Sequence, residues 1–341
     1  TITFDHGRHW NYQFWMFDTQ DDYYRRHLLL HEFTHCFMTC ECGMLRLPPM
    51  WYMEGMAEYF ATHRRPAAAA ATATTQFGVL PDTFEGFEGW GRISEIRRSF
   101  QERGTRNATT TEPLTVPTLN SVMPRQATDF TDYSQYATAW ALCWLLQSHP
   151  HYRDVFRPLT SVRDQAEFHA ALTQLREHAQ PRLQIDCLLF SVSLRENFDV
   201  ERSFPVHAQT TFTLDDLRRS DTAFTLQADM GWQDSGLRLA AEEAVTLFCS
   251  GQYSLNDQPR PWISEPQGIS IEYFRGLPLG QVVATLVGTD GEFISNRISV
   301  GTGTTLSTSR PVSVWLQVND SSASRSNNAG SVSVVFSRSG H

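Results

Sequence analysis

Residues 21–43 read DDYYRRHLLLHEFTHCFMTCECG, and this stretch decides how the first half of the chain is interpreted. Acidic residues at its start and Gly43 at its end are typical of helix termini, which predicts a helix from Asp21 or Asp22 to Cys42. Residues four apart share one face of a helix, so His31 and His35 can both direct a ring nitrogen at one ion. Glu32 lies about 100° around the same helix, where a general base would stand beside the ion. The stretch therefore predicts a zinc-binding helix.

A catalytic zinc ion needs a third protein ligand, and the chain offers three kinds of candidate. His27 lies one turn before His31, but a straight helix spreads three such groups over two turns, so His27 is expected to be a partly exposed helix residue. Glu54 lies on a second predicted helix, MWYMEGMAEYFATH, which begins after Pro49 and turns the chain back. The remaining candidates are Cys36, Cys40 and Cys42, which lack the paired CxxC spacing of structural zinc sites. Glu54 is the expected third ligand.

HEFTH followed after eighteen residues by Glu54 in WYMEGMAEY resembles the gluzincin zinc metallopeptidases of the aminopeptidase N type. It is also similar to bacterial peptidase MA-like domains. The resemblance implies His31, His35 and Glu54 as zinc ligands, Glu32 as the general base and peptide-bond hydrolysis as the reaction. Glu58, one turn after Glu54, is placed to accept a hydrogen bond from a ligand histidine and fix its tautomer.

In the resembling peptidases a tyrosine at the head of a later helix donates a hydrogen bond to the oxyanion. Tyr136 in DYSQYATAWALCWLL stands at the matching place and Tyr133 is the alternate, although alanine replaces the family's glycine. Only thirty residues precede HEFTH, and they hold no Gly-x-Met-x-Asn-like stretch. The β-sheet that pairs with substrate is therefore expected to be short or absent, and endopeptidase and exopeptidase modes both stay open.

Further along, residues 320–328 place Asp320 seven and eight positions before Asn327 and Asn328 in a Ser-rich loop, and such oxygens suit Ca²⁺. Segments from GWQDSGLRL to NNAGSVSVVF resemble the calcium-dependent galactophilic lectins of bacteria over roughly 222–338. The resemblance implies Asp320, Asn327 and Asn328 as calcium ligands, with backbone carbonyls at Ser324 and at Leu255. Of the family's His-Pro-Asp-Gln-Gly sugar loop only residues 266–268 remain. Gln267 is thus a candidate sugar contact, and galactose specificity is not implied.

The 341 residues predict two domains, helical before about residue 200 and rich in short alternating strands after Ala223. We expect an α+β multidomain protein, with a mostly α-helical zincin-like domain over 1–205 and a lectin-like all-β sandwich over 206–341. The net charge is −9, all 28 basic residues are arginine, and no basic stripe appears, which argues against nucleic acid as a partner. The longest apolar run, 139–146, is too short to span a membrane.

The sequence thus predicts a zinc metallopeptidase that acts on a peptide or glycoprotein substrate, with Zn²⁺ as its cofactor. A C-terminal domain would bind Ca²⁺ and a glycan. The alternative is a non-catalytic carbohydrate-binding or adhesion protein whose zinc site is structural or a relic. A third hypothesis makes the sandwich a stability module. The combination of a peptidase domain with a glycan-binding domain suggests export to the periplasm or the cell exterior, although no signal peptide is visible in these residues.

Overall fold

The structure is a computed structural model that describes residues 7–43, 47–64, 74–80, 91–101, 114, 116–161, 165–179, 181–218, 223–256 and 260–338. It has the predicted α+β arrangement, with an N-terminal helical part and a C-terminal β part. The chain divides into two compact units. Unit 1 comprises Thr1–Arg98 and Pro117–Gln180, and unit 2 comprises Ser99–Val116 and Pro181–His341.

The elements that precede residue 180 are mainly helices. The helices are α1 Asp22–Cys42, α2 Met50–Ala61, α3 Arg92–Gln101, α4 Leu119–Val122, α5 Tyr133–Ser148, α6 Arg153–Phe156 and α7 Gln165–Ala179. The strands are β1 Arg8–Trp10, β2 Gln13–Trp15, β3 His63–Arg64 and β4 Gln76–Phe77. Strands β1 and β2 form an antiparallel hairpin before α1, so a sheet exists there but is short, as expected.

Helix α1 begins and ends where the sequence predicts. The Asp21 side chain accepts a hydrogen bond from the backbone N–H of Tyr24 at 2.8 Å, which satisfies one of the amides that a helix start leaves open. At the other end Gly43 has φ of 76°, a left-handed conformation that glycine adopts without strain, and its N–H donates to Thr39 O. These two caps fix the length of the helix that carries HEFTH.

Helices α2 and α5 pack closely because of a glycine next to the predicted third ligand. A Cβ atom at Gly55 would lie 2.5 Å from both the Ala139 carbonyl oxygen and the Cys143 sulfur. Real Cβ atoms do not approach so closely, so only glycine allows α2 to lie this near α5. Gly55 therefore sets the distance between the helix of Glu54 and the helix of Tyr136.

Unit 2 is built mainly from strands. Its helices are α8 Arg182–Ser193 and α9 Val200–Ser203. Its strands are β5 Phe212–Thr213, β6 Ala223–Gln227, β7 Gln233–Leu239, β8 Ala244–Ser250, β9 Tyr253–Ser254, β10 Ile263–Ser264, β11 Ile269–Phe274, β12 Leu277–Leu279, β13 Val282–Gly288, β14 Ile298–Ser299, β15 Gly303–Ser307, β16 Val312–Val318 and β17 Ala329–Arg338. The alternating runs that predicted strands coincide with β6, β8, β13, β16 and β17, so that prediction is confirmed.

Two sheets face each other across one hydrophobic core. The first has the order β14-β13-β16-β7-β5, and the second has the order β10-β9-β17-β8-β15 with β6 paired to β17. Apolar side chains at alternate positions of each sheet meet in this core, as a period of two residues dictates. On β16 these are Val312, Val314, Leu316 and Val318.

The first sheet is also buried on its second face, which explains why every residue of β13 and β16 is buried. Trp315 and Val283 point away from the sandwich core and pack with Leu188 and Leu189 of α8. His207 Nε2 lies 2.6 Å from Asp186 Oδ1 and fixes the chain after α9 to the same helix. These contacts explain why residues 181–205 belong to unit 2. The domain boundary predicted between residues 205 and 206 concerns domains that fold independently, and it stays a prediction.

Candidate metal centres

Three side chains predicted as zinc ligands meet at one point between α1 and α2. His35 Nε2 lies 3.1 Å from His31 Nε2 and 3.2 Å from Glu54 Oε2. His31 Nε2 lies 3.4 Å from Glu54 Oε2. We call these three residues the ligand triangle, and all three are buried.

The edges of the ligand triangle match those of a zinc site. Ligand atoms about 2.0–2.1 Å from a tetrahedral zinc ion lie about 3.3–3.4 Å apart. The observed separations of 3.1–3.4 Å are therefore close to one face of such a tetrahedron. Two imidazole nitrogens and one carboxylate oxygen are also a donor set that zinc accepts, so the residues fit the ion.

The charges around the triangle favour a cation. Burial lowers the pKa of His31, but hydrogen bonds to Glu54 and Glu58 outweigh burial and raise the pKa to about 10. Burial dominates at His35 and lowers the pKa of its ring. Although burial acts in the opposite direction, His35 and His31 hold the pKa of Glu54 well below its usual range. The two carboxylates thus favour a positive charge at the triangle, and a metal cation can supply that charge in place of a proton.

Glu58 lies behind His31. Its Oε1 atom is 3.3 Å from His31 Nδ1, on the far side of the ring from the triangle. Its Oε2 atom is 3.2 Å from His27 Nε2. The prediction of a partly exposed His27 is wrong, because this ring is buried against Glu58. His27, His31 and Glu58 form a second group of potential metal ligands among the described residues.

Glu32 is buried beside the triangle and is held by the hairpin that precedes α1. His9 Nδ1 lies 3.3 Å from Glu32 Oε2, and the His9 ring stacks on His35 with 4.3 Å between centroids. A Cβ atom at Gly7 would lie 2.5 Å from Glu32 Oε1, so the backbone of Gly7 packs directly against this carboxylate. Sequence reasoning missed His9, because nothing in the spacing of the hairpin indicates which helix residue it contacts.

Tyr136, one of the two tyrosines proposed to face the oxyanion, lies near the triangle. Its ring centroid is 6.3 Å from that of His31. Burial, followed by the carboxylates of Glu54 and Glu58, raises the pKa of Tyr136. Its hydroxyl therefore keeps its proton at neutral pH and can donate a hydrogen bond. Tyr133 begins α5 and is about half exposed.

The four predicted calcium residues of the loop 320–328, called the Asp320 loop, also lie together. Ser324 Oγ donates to Asp320 Oδ1 at 2.9 Å, and Asn328 Nδ2 donates to Asp320 Oδ2 at 2.9 Å. The side-chain oxygens of Asn327 and Asn328 are buried and have no hydrogen-bond partner among the described residues. Buried acceptors normally have a partner, and a hard cation would supply one. The loop therefore fits Ca²⁺, although the amide of Asn328 must turn over to present its oxygen.

A buried arginine supports the same loop. Arg325 Nη2 donates to the Asp320 carbonyl oxygen and to Gln317 Oε1, each at 3.0 Å. Burial lowers the pKa of Arg325 to about 10, while Asp320 opposes that shift. The guanidinium holds the backbone of Asp320 in place in the absence of an ion.

Gln267, the candidate sugar contact, is exposed on the turn that follows β10, and its Nε2 donates to Glu265 Oε2 at 2.9 Å. The segment 280–282 contacts both regions: Val282 N donates to Pro266 O of the turn at 2.8 Å, and Gly280 N donates at 2.9 Å to the carbonyl oxygen of Asn319, the residue that precedes the Asp320 loop. Leu255 packs its side chain at Gly280. The turn and the loop therefore lie in one neighbourhood of unit 2.

Comparisons with known proteins give no family and weak structural likenesses. No protein-family model matches the chain, and no curated protein matches it. Among solved structures, the chain is similar to the N-terminal domain of EclA, a PllA-like lectin, with 19% identity and a TM-score of 0.29 over 36% of this chain and 99% of that chain. It is also similar to Aeromonas hydrophila PliG, a periplasmic inhibitor of g-type lysozyme, with 11% identity and a TM-score of 0.19 over 40% of this chain and 98% of that chain. Likenesses this weak carry no argument about function.

The described helices include none with the length and apolar character required to cross a bilayer. None of the six cysteines forms a disulfide in the structure; they are at positions 36, 40, 42, 143, 187 and 249.

Proposed function

We propose that unit 1 is a zinc-dependent hydrolase of peptide bonds, of the gluzincin type. The observation that carries the proposal is the ligand triangle, whose three donor atoms stand 3.1–3.4 Å apart with Glu32 buried next to them. The family assignment is part of the proposal, because no family model matches the chain. The substrate would be a peptide or a glycoprotein.

Each residue of the site has its own role in the proposed hydrolysis. Zinc bound to the triangle would act as a Lewis acid and bring the pKa of a water molecule to about 7. Glu32 accepts the proton of the attacking water and later delivers it to the leaving amine. The protonated hydroxyl of Tyr136 donates a hydrogen bond to the oxyanion that develops on the substrate carbonyl. His9 and Gly7 hold Glu32 in one orientation.

The test separates catalysis from metal binding. Zinc-replete full-length protein is screened against an internally quenched peptide library, with Glu32→Gln as the variant and Glu41→Gln, an exposed acid of the same helix, as the control. We expect both variants to retain zinc, and we expect the rate of Glu32→Gln to fall by about 10²–10⁴-fold, as for loss of a general base. Zinc binding without turnover of peptides or glycopeptides would instead support the non-catalytic alternative.

A second function is favoured by a separate observation: two amide oxygens beside Asp320 have no hydrogen-bond partner in the part of the chain that the structure describes. We propose that unit 2 binds Ca²⁺ through Asp320, Ser324, Asn327 and Asn328, and a glycan near Gln267. Such binding is compatible with the hydrolase, since a glycan-binding unit would concentrate the enzyme on a glycosylated surface. Without catalysis, it would be the function of the alternative, a carbohydrate-binding or adhesion protein whose zinc site is structural or a relic. Both activities suit an exported protein, so export is part of the proposal.

Calcium and glycan binding are measured on the full chain. Isothermal titration with CaCl₂ should give a single site that disappears in Asp320→Ala and persists in Asp215→Ala, an exposed acid of the same unit. A glycan array probed with and without a chelator should show binding that needs calcium. Absence of both calcium and glycan binding would favour the third hypothesis, in which the sandwich only stabilises the protein.

A further inference from the structure

Arg92 is a buried cation at the start of α3, outside every motif that predicted the zinc site. Its Nε donates to Glu58 Oε2 at 3.0 Å, and its Nη2 donates to Glu58 Oε1 at 2.8 Å. Two parallel hydrogen bonds between a guanidinium and a carboxylate fix the plane of the carboxylate as well as its position. Arg92 therefore determines how Glu58 is oriented.

The orientation of Glu58 in turn determines that of a triangle residue. Oε1, which accepts from Arg92, is also the oxygen 3.3 Å from His31 Nδ1. A carboxylate beside Nδ1 favours a proton on that nitrogen, so that Nε2, which faces Glu54 and His35, is the nitrogen available to a metal ion. Oε2 is similarly shared between Arg92 and His27. The histidine ring is thus aimed by a carboxylate that the arginine holds.

The same guanidinium also contacts the tyrosines of α5. Its central carbon lies 5.1 Å from the ring centroid of Tyr133 and 5.8 Å from that of Tyr136. Both distances are within the range of cation–π attraction, which is stronger for a desolvated cation. Arg92 therefore lies between the carboxylate behind His31 and the tyrosine assigned to the oxyanion.

We propose that Arg92 is a positioning residue that couples the orientation of the zinc ligand His31 to the placement of Tyr136. This inference rests on the proposed zinc site. It adds a residue from a fourth helix, α3, to a site whose other helical members come from α1, α2 and α5. One side chain would then set both the metal affinity and the position of the oxyanion donor.

The competing explanation is a second metal ion held by His27, His31 and Glu58, which form a group of suitable size. Arg92 argues against it. Its two hydrogen bonds already neutralise Glu58, and a divalent cation placed on the same carboxylate would meet the guanidinium charge within a few ångströms. The group is better explained as a support for His31 than as a metal site.

The test compares Arg92→Met with Arg98→Met, a change on an exposed arginine of the same helix. Zinc affinity is measured by competition with a chromophoric chelator, and the visible spectrum of the Co²⁺-substituted protein reports the ligand geometry. We expect Arg92→Met to weaken zinc binding by about 10–100-fold, as for loss of an outer-shell partner, and to alter the cobalt spectrum. Arg98→Met should match the wild type in both measurements.

Arg92→Lys and Glu58→Gln keep the inference testable if Arg92→Met does not fold. Lysine keeps the positive charge but cannot make two parallel hydrogen bonds to the carboxylate. The zinc affinity of Arg92→Lys should therefore lie between those of the wild type and Glu58→Gln. The double variant Arg92→Lys/Glu58→Gln should bind zinc no more weakly than Glu58→Gln alone, because both changes act through one carboxylate. A folded Arg92→Lys or Arg92→Met with wild-type zinc affinity and cobalt spectrum would overturn the inference.

The coupling to Tyr136 has its own readout at saturating zinc. If peptides are cleaved, Tyr136→Phe should lower kcat less in the Arg92→Lys background than in the wild type, and equal effects would refute the coupling. The metal measurements also distinguish this inference from the proposed function. Wild-type protein that binds no zinc would refute both the proposed function and the role of Arg92. Zinc binding without turnover would refute only the peptidase, and the zinc affinity of the Arg92 variants would then decide the inference.

Discussion

The ligand triangle of unit 1 takes its three ligands from two helices, whereas the Asp320 loop of unit 2 takes its oxygens from nine consecutive residues. The triangle exists only when α1 and α2 pack, and its donor atoms face one another. In the Asp320 loop the donors hydrogen-bond among themselves, with Ser324 and Asn328 both bound to Asp320. We infer that the first site is preorganised by the fold, and that the second must rearrange locally to accept an ion.

The largest expected effect is that of zinc on the stability of unit 1. An ion that binds only the folded protein adds about 4 kcal/mol to the free energy of unfolding at about 1,000 times its Kd. Calorimetry with zinc and with a zinc-selective chelator should therefore show a higher Tm for the loaded protein. The difference should vanish in Glu54→Ala and persist in Asp320→Ala. A zinc effect that survives Glu54→Ala would show that the ion binds elsewhere.

The next effect concerns the packing that preorganises the triangle. In Gly55→Ala the new methyl group would stand 2.5 Å from Ala139 O and from Cys143 Sγ, so α2 and α5 must separate. We expect a loss of about 1–3 kcal/mol in the free energy of unfolding, as for overpacked cores, with weaker zinc binding. Gly91→Ala is the matched control, because a Cβ atom there meets nothing within 4 Å. Equal stability of the two variants in urea denaturation would contradict this account of α2.

The variant Asn328→Asp tests whether the Asp320 loop binds calcium. A second carboxylate beside Asp320 should repel it in calcium-free protein and lower the free energy of unfolding by about 1 kcal/mol. With Ca²⁺ the added charge becomes a ligand, so the rise in Tm on adding calcium should be larger than in the wild type. Thermal unfolding in CaCl₂ and in EGTA measures both quantities. A smaller calcium effect in this variant would indicate that Asn328 does not face an ion.

The smallest effect is a pH dependence of the zinc-free protein. Burial alone would raise the pKa of Glu58, but Arg92 and His27 hold it well below its usual range. A depressed carboxyl pKa contributes stability that is present above the unfolded value, about 4.3, and lost as the pH falls toward the folded value. The free energy of unfolding should therefore decline less steeply below about pH 4 in Glu58→Gln than in wild type. Parallel profiles in urea denaturation at each pH would contradict the assigned pKa shift.

Much of the fold and of the first site could be predicted because the signals are local. Asp21 and Gly43 mark the ends of α1, the spacing of His31 and His35 defines one helix face, and the strand runs alternate with a period of two. Glu54 was recognisable because a turn and a second helix return it to the first. Apart from Glu54, which lies nineteen positions after His35 on another helix, these features depend on neighbours within about one helical turn.

The remaining features depend on contacts between residues far apart in the chain. Arg92 is one of 28 arginines, and nothing in its local sequence indicates that it lies on Glu58. His9 reaches Glu32 only because the β1–β2 hairpin folds back on α1. His27 was predicted to be partly exposed because its partner, Glu58, lies thirty-one residues away on another helix. Helix α8 packs on the sandwich because Leu188 and Leu189 contact an apolar face of the first sheet. The sequence of α8 alone does not indicate this contact.

The central claim is that His31, His35 and Glu54 hold one zinc ion. Its most direct test is the metal content of purified, metal-replete protein by mass spectrometry, with wild type beside Glu54→Ala. We predict about one zinc per chain in the wild type and none retained after desalting in Glu54→Ala, with the helical content of both proteins unchanged by circular dichroism. Wild-type protein without zinc, or a Glu54→Ala variant that retains it, would contradict the claim.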